Sequence, residues 1–200
     1  MRRKSAARSG KSGRAKFRVR RADLRDLDLL VRHRRGMWTD MRVGDTSSLD
    51  AADRAYRKWA RPRLRNGTLN GWIVEDDRGD VAGSGCVWLR PVQPGPETLD
   101  LVQPYLLSMY TEPGFRHKGV ASLVVESTAD WCRKRGFSLM RLHASRMGRG
   151  LYKQFGFERS WEMRLRLDGP PPGKKRRRLE GQGLAQCLAN PAKVHLSWTP

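Results

Sequence analysis

The stretch LDLVQPYLLSMYT, residues 99–111, constrains the fold more than any other part of the chain. Eight of its 13 residues are Leu, Val, Met or Tyr, as expected of a central strand rather than a half-exposed one. Pro104 lies inside it and offers no N–H to a ladder, which predicts an irregularity such as a bulge at that point. Within ten residues the period changes. Val120, Leu123, Val124, Thr128, Trp131 and Cys132 recur at helical spacing. Arg133, Lys134 and Arg135 suit the negative end of that helix, and Gly136 suits its C′ position. A buried strand that leads through a short loop into an amphipathic helix demands a sheet with a helix on its face.

The same rules read the rest of the chain. FRVRRA (17–22) alternates and is a first strand. Asp23 caps a helix with Leu24, Leu27, Leu30 and Val31 on one face and Gly36 near its end. Ser47 or Ser48 starts a second helix, on which Leu49, Ala52, Tyr56, Trp59 and Ala60 keep helical spacing. Asn66-Gly67 and Asn70-Gly71 are turn signals. Residues 71–76 and 81–90 form a hairpin, and the Pro-rich loop 91–98 follows. Strands are expected over 137–144 and 157–167, with a short helix over 148–155 between them. The fold class is α/β (α+β), with helices on the faces of a mixed sheet.

Charge divides the chain into three parts. Residues 1–21 hold ten basic residues and no acidic one. The tail from Asp168 opens with DGPPPGKKRRR. Most of the net +21 therefore lies outside the central region. Residues 1–16 read as a disordered basic arm, 17–167 as one domain, and 168–200 as a basic, Pro/Gly-containing tail. The acid-free N-terminus shares its composition with organelle transit peptides but lacks the apolar core of a secretory signal. No run reaches the roughly 18 apolar residues of a membrane span. Cys86, Cys132 and Cys187 are widely spaced and odd in number, matching neither a disulfide framework nor a metal pattern. A reducing, cytoplasmic location fits these features.

The loop between the long strand and its helix is RHKGVA, residues 116–121. The first N–H groups of a helix have no intrahelical partners and sit at the positive end of its dipole. Phosphate is the natural occupant of such a place. Gly119 lets the backbone approach a ligand closely, and Arg116 and Lys118 add full charges. The pattern R-x-x-G-x-A is neither G-x-G-x-x-G nor a Walker-type loop. Taken alone, it is common enough to be a solvated basic turn.

Its context is less common. YLLSMYTEPGFRHKGVASLVVESTADWCRKRG, followed by MRLHASRMGRGLYKQFGF, strongly resembles the GNAT superfamily of acyl-CoA-dependent N-acyltransferases. Arg116, Gly119 and Ala121 match the family's R/Q-x-x-G-x-G/A loop, and LYKQFGF stands where the family shows a Tyr followed by Gly-Phe. The resemblance covers about residues 17–167 and is most specific over 105–157. It implies a central sheet of about six to seven strands flanked by about four helices.

It also implies the chemistry. Acetyl-CoA is the co-substrate, with no metal. Residues Arg116, His117, Lys118, Gly119, Val120 and Ala121 would hold its pyrophosphate. Met109, Tyr110 and Thr111 would offer backbone to its pantetheine arm. Ser145 stands near the place of a coenzyme-contacting Asn, and a hydroxyl could replace that contact. Tyr152 matches the usual general acid, which protonates the leaving thiolate after an amine attacks directly in a ternary complex. The base is not evident. Glu75, Asp100, Glu112, His143 and Asp40 are candidates, each with the alternative of an ordinary surface group, and water could carry the proton instead. Trp38 and Trp88 could line an acceptor pocket. His33, His117 and His195 make no metal spacing with other ligands, and Cys132 falls on the packed helix face. The acceptor is open among small amines, amino acids, antibiotics and protein N-termini. A homodimer is equally open.

Two competing readings remain at this level. The basic runs RRK (2–4) and KKRRR (174–178) would give salt-dependent, nonspecific contact with nucleic acid or ribosomes. No recognition motif and no aromatic-basic interleaving accompany them. A GNAT fold could also bind acyl-CoA without catalysing transfer.

Overall fold

The structure is a computed structural model that describes residues 17–162. The expected arm 1–16, residues 163–167 of the last expected strand, and the tail 168–200 lie outside the described residues. Of the described residues, 17–159 belong to one compact unit, and Ser160 begins a second.

The change of period expected around residue 116 is present. Strand β4 spans Val102–Thr111, a 3-10 turn covers Pro113–Phe115, and helix α3 spans Val120–Lys134. Helix α3 ends as expected. Gly136 adopts a positive φ of 80°. Its N–H donates to Arg133 O at 2.9 Å, and the N–H of Phe137 donates to Cys132 O at 3.1 Å. That 5→2 and 6→1 pair is the Schellman closure, which needs a left-handed residue that glycine supplies without a Cβ penalty.

Ahead of β4 lie β1 (Arg18–Arg21), α1 (Leu27–Asp40), α2 (Thr46–Arg65), β2 (Leu69–Glu75) and β3 (Val81–Pro91). After α3 come β5 (Arg141–Leu142) and α4 (Arg149–Gln154). The strands run in the order β1-β2-β3-β4-β5. The first four pair antiparallel, and β5 pairs parallel with β4. Helices α1 and α2 cover one face, where Leu27, Leu30, Val31, Tyr56, Ala60, Leu69 and Cys86 pack together. Helix α3 covers the other face over Trp72, Val74, Val87 and Leu106. Each fully buried Leu or Val side chain contributes about 1.5–3 kcal/mol relative to exposure. The covering of both faces explains why every residue of β2 is buried.

The mixed α/β class and the four helices agree with the sequence reading. Several boundaries do not. Among the described residues the sheet has five strands rather than six to seven. The strand expected over 137–144 shrinks to Arg141–Leu142, and residues 157–162 form no strand. Asp23 caps a 3-10 turn, Leu24–Asp26, that leads into α1. Its carboxylate accepts from the Arg25 N–H while Asp26 accepts from its own N–H. Helix α1 does not stop near Gly36 but runs to Asp40. The glycine is there for proximity: a Cβ at Gly36 would lie 2.7 Å from Cζ of Tyr110. Helix α2 begins earlier than Ser47, because Asp45 is the cap and accepts from the Ser48 N–H at 2.8 Å.

The expected bulge at Pro104 is also displaced. Pro104 is in register with Leu89, and the register shifts instead between Ser84 and Cys86, which face Tyr110 and Leu107. Gly85 thus opposes both Ser108 and Met109, and Ser108 carries a positive φ of 54°. The irregularity is set across the sheet rather than by the proline. A Cβ at Gly83 would meet the carbonyl oxygen of Tyr110 at 2.6 Å, and one at Gly85 would overlap Met109 and Val124. Two glycines on β3 make room for the kink on β4.

Candidate active site

Strand β4 is paired with β5 only at Tyr105–Arg141 and Leu106–Leu142. From Leu107 to Thr111 it has no ladder partner on that side among the described residues. The bulge at Ser108 turns the strand just where the pairing stops. The sheet therefore opens into a wedge whose wall is the backbone of Met109, Tyr110 and Thr111, and those peptide groups can pair with a strand-like ligand.

The wedge leads to the loop. Gly119 caps α3 with φ 86°, and no side chain satisfies that end of the helix. The first-turn N–H groups, beginning at Val120 and Ala121, are left to an external acceptor. A Cβ at Gly119 would have nothing within 4 Å, so the space in front of the loop is open. His117 also sits in the left-handed region, at φ 62°. It is costly for a residue with a Cβ, and it curls the loop around that space. Lys118 places its ammonium 5.3 Å from the Phe115 ring. The residues present thus fit a phosphate group: open N–H donors, an exposed lysine and a half-buried arginine, and no carboxylate inside the loop.

Arg116 is arranged differently from expectation. Its Nη2 donates to Asp40 Oδ2 at 2.5 Å and its Nε to Thr111 O at 3.2 Å. Asp40, one of the candidate bases, is thereby engaged at the end of α1. This pair joins the helix over one sheet face to the anion loop.

Tyr152 lies on α4, 9% exposed, within the apolar cluster that also holds Leu106 and Val124. Its ring meets Phe157 edge-on at 5.7 Å. Burial pushes its phenol above the usual value. The group is therefore protonated, and able to donate, throughout the neutral range. Ser145 is half-buried, and its Oγ accepts from the Gly148 N–H at 3.2 Å. It braces the turn into α4.

The remaining base candidates separate by position. Glu75 sits on β2, bridged by Arg20 and Arg18, which hold its carboxyl below the ordinary range. Asp100 belongs to the loop ahead of β4, its N–H bound to Thr98 Oγ1. Glu112 lies three residues past Met109, about 10 Å along an extended strand at about 3.3 Å per residue. Its Oε1 is 3.1 Å from His33 Nε2, and His33 Nδ1 is 2.7 Å from Ser84 Oγ. Burial lowers the His33 pKa despite the nearby carboxylate, so the ring is neutral. A carboxylate only accepts, which puts the proton on Nε2 and leaves Nδ1 to accept from the Ser84 hydroxyl. This chain ties α1, β3 and the end of β4 together. His143 follows the last β4–β5 pair directly and contacts the Tyr105 hydroxyl through Nδ1. His143 thus lies where the β4–β5 ladder ends, while Asp40 and Glu112 lie near Tyr110 on the open part of β4.

Sequence reading missed the Ser84–His33–Glu112 chain, the Arg116–Asp40 pair and the glycine seats at Gly36, Gly83 and Gly85. The glycines were a visible signal, because two of them interrupt an otherwise apolar strand at alternate positions. Cys86 and Cys132 are buried free thiols, pushed up to about 12 and about 11 by burial. They are poor nucleophiles at neutral pH. No helix among the described residues is long and apolar enough to cross a membrane.

Comparisons with known proteins agree with this fold. The family model described as "Acetyltransferase (GNAT) family" matches residues 32–157. A GCN5-related N-acetyltransferase from Ralstonia eutropha is 27% identical, with a TM-score of 0.72 over 77% of this chain and 100% of that one. A predicted acetyltransferase from Clostridium acetobutylicum, solved with acetyl-CoA, is 25% identical, with a TM-score of 0.69 over 76% of this chain and 97% of that one. The ribosomal-protein-alanine N-acetyltransferase of Brucella melitensis shares the fold at 19% identity, with a TM-score of 0.56 over 77% and 100% of the two chains. No curated protein matches the chain. With an open wedge between β4 and β5, a glycine-capped anion loop and a family match over most of the folded region, the chain belongs to the acetyltransferase (GNAT) family.

Proposed function

We propose that the protein transfers an acetyl group from acetyl-CoA to a primary amine by direct attack in a ternary complex. The observation that carries this reading is the continuity of wedge and loop. The unpaired edge of β4 runs from the bulge at Ser108 to the open end of α3. Pantetheine pairs with Met109, Tyr110 and Thr111, and the pyrophosphate rests on the N–H groups and basic side chains of residues 116–121. That places the thioester at the bulge, where β4 and β5 part. Arg116 leaves Asp40 for the pyrophosphate, since two anionic oxygens outcompete one half-exposed carboxylate.

The acceptor amine must lose its proton before it attacks, because an ammonium has no lone pair. His143 takes that proton, and the Tyr105 hydroxyl on its Nδ1 orients the ring. The nitrogen lone pair forms the C–N bond, and the C–S electrons leave on sulfur. Tyr152 gives its phenolic proton to that thiolate, so coenzyme A departs as the thiol. The acylated nitrogen sheds its second proton as the C–S bond breaks, and the phenolate takes up that proton through solvent. Burial keeps Tyr152 protonated until the thiolate appears.

The arms 1–16 and 168–200 add salt-dependent contact with polyanions and stand apart from the chemistry. Removing both abolishes retention on heparin and spares turnover. The experiment for the main reading is coenzyme A release from acetyl-CoA over a panel of primary amines. Turnover that needs both substrates, with intersecting initial-rate patterns, supports it. Acetyl-CoA binding with no transfer to any amine leaves only the binding role.

A further inference from the structure

Three buried side-chain atoms have no hydrogen-bond partner among the described residues: Arg34 Nη1, Tyr56 Oη and Arg90 Nε. Two of them are neighbours. The Arg34 guanidinium carbon lies 4.8 Å from the Tyr56 ring centre and 5.4 Å from that of Trp38. Both residues lie between α1, α2 and the sheet, and the Tyr56 side chain faces Cys86 and Ser108. Ser108 is the bulge residue, the point at which the wedge begins.

Arg34 is half-buried and has no counter-ion among the described residues. Asp53, the acid whose charge it feels, accepts instead from Arg35 at 2.8 Å. Desolvation consequently lowers the Arg34 pKa from its usual value. Aromatic rings contact the guanidinium, and at least one edge of its planar fork is unspent. A buried donor without an acceptor is expensive for a protein to keep, and a buried cation without an anion more so. A guanidinium fork matches a planar carboxylate in bidentate fashion. A phenolic hydroxyl beside it, whose polar neighbours are the Ser108 hydroxyl and the Cys86 thiol, can turn a donor to the same ligand.

We propose that Arg34 and Tyr56 form the anion subsite of the acceptor, and that the acceptor is a small amine bearing a carboxylate, such as an amino acid. This rests on the acetyl-transfer reading above. The carboxylate sits on Arg34 and Tyr56 behind Ser108, and the amine projects past the bulge toward the thioester. Arg34 is a binding residue and touches no reacting atom.

The test compares amino acids with their α-amides, which differ only at the carboxylate. Coenzyme A release is measured for wild type, Arg34→Met and Tyr56→Phe, with acetyl-CoA titrated into each as a control. The amide's less basic amine is more often neutral, so the comparison is biased against the proposal. The expected result is a kcat/KM at least tenfold higher for the acids, carried mainly by KM. Arg34→Met should remove that preference while acetyl-CoA affinity and amide turnover stay unchanged. Tyr56→Phe should raise KM for the acids severalfold and leave the amides alone, which keeps the test available if Arg34→Met fails to fold. Equal use of acids and amides, zero included, overturns the proposal, as does an acid preference that survives Arg34→Met. Acetyl-CoA binding without acid preference sinks this inference alone. A folded wild type that does not bind acetyl-CoA sinks the acetyl-transfer reading itself.

Discussion

One half of β4 is closed and the other half is open. Tyr105 and Leu106 are laddered on both sides, to β3 and to β5. Tyr110 and Thr111 keep β3, Met109 sits at the bulge, and none of the three pairs with β5. The closed half behaves as core: Leu106 is 2% exposed and belongs to the apolar cluster under α3. The open half is held from behind rather than from the side. The Tyr110 ring lies on Gly36 and 5.0 Å from His33, and the His33–Glu112 bond fixes the end of the strand. A protein that leaves backbone groups unpaired must fix the segment by other contacts, or the edge would collapse or recruit another strand. Here α1 supplies those contacts.

This contrast is most sharply tested at Tyr152, which packs with the closed half yet is assigned to the chemistry of the open one. Tyr152→Phe should lower kcat by about 10²–10⁴, the usual size of a lost general acid. Acetyl-CoA affinity should hold, because the ring and its packing on Phe157 are kept. Unchanged kcat would make the residue purely structural. Filling the seat of the bulge comes next. Gly85→Val should cost about 1–3 kcal/mol through overpacking, or about 2–4 °C of Tm per kcal/mol for a chain of this size. It should also weaken acetyl-CoA binding, since Met109 can no longer keep its place. A variant that loses stability but binds normally would break the link between bulge and wedge.

Much of this site lies within one continuous stretch and could be read there. Gly119 and Ala121 announce a helix N-terminus open to an anion, and Tyr152 stands in a recognisable string. What could not be read depends on pairs far apart in the chain. Asp40 meets Arg116 across 76 positions, and His33 meets Glu112 across 79. The bulge fell at Ser108 and not at Pro104 because two glycines on the neighbouring strand made the room. Local chemistry at Pro104 predicted an irregularity, and a partner strand decided its position. The early end of β5 has the same kind of explanation: β4 turns away after Leu106 and leaves residues 143 and 144 nothing to pair with.

Smaller effects sharpen the role of α1. The buried His33 is neutral in the folded protein, while the unfolded chain protonates it near pH 6.5. The unfolded state therefore binds more protons as pH falls below about 7, and stability declines with it. His33→Gln should flatten that decline, read as Tm between pH 5 and 8. Equal slopes for both proteins would remove His33 as the cause. The smallest effect belongs to Asp40→Asn. Freed from its carboxylate, Arg116 should bind acetyl-CoA up to about fivefold more tightly, the scale of a half-exposed ion pair worth about 0.2–1 kcal/mol. Weaker binding would show that Asp40 positions the arginine instead of competing for it.

The central claim is that the open half of β4 and the loop after it form one site for acetyl-CoA. Calorimetric titration of acetyl-CoA into wild type and into the double variant Gly119→Glu, Arg116→Ala tests it most directly. The new carboxylate would enter the open space before α3, where no neighbour stands within 4 Å of the added Cβ. The left-handed backbone at Gly119 costs about 1–2 kcal/mol to any residue with a side chain, so the variant should still fold. The account predicts micromolar binding by wild type and a loss of at least about 100-fold in the variant, from removal of one charge-assisted contact and insertion of a like charge. Equal affinity in both proteins, or no binding by a folded wild type, would contradict it.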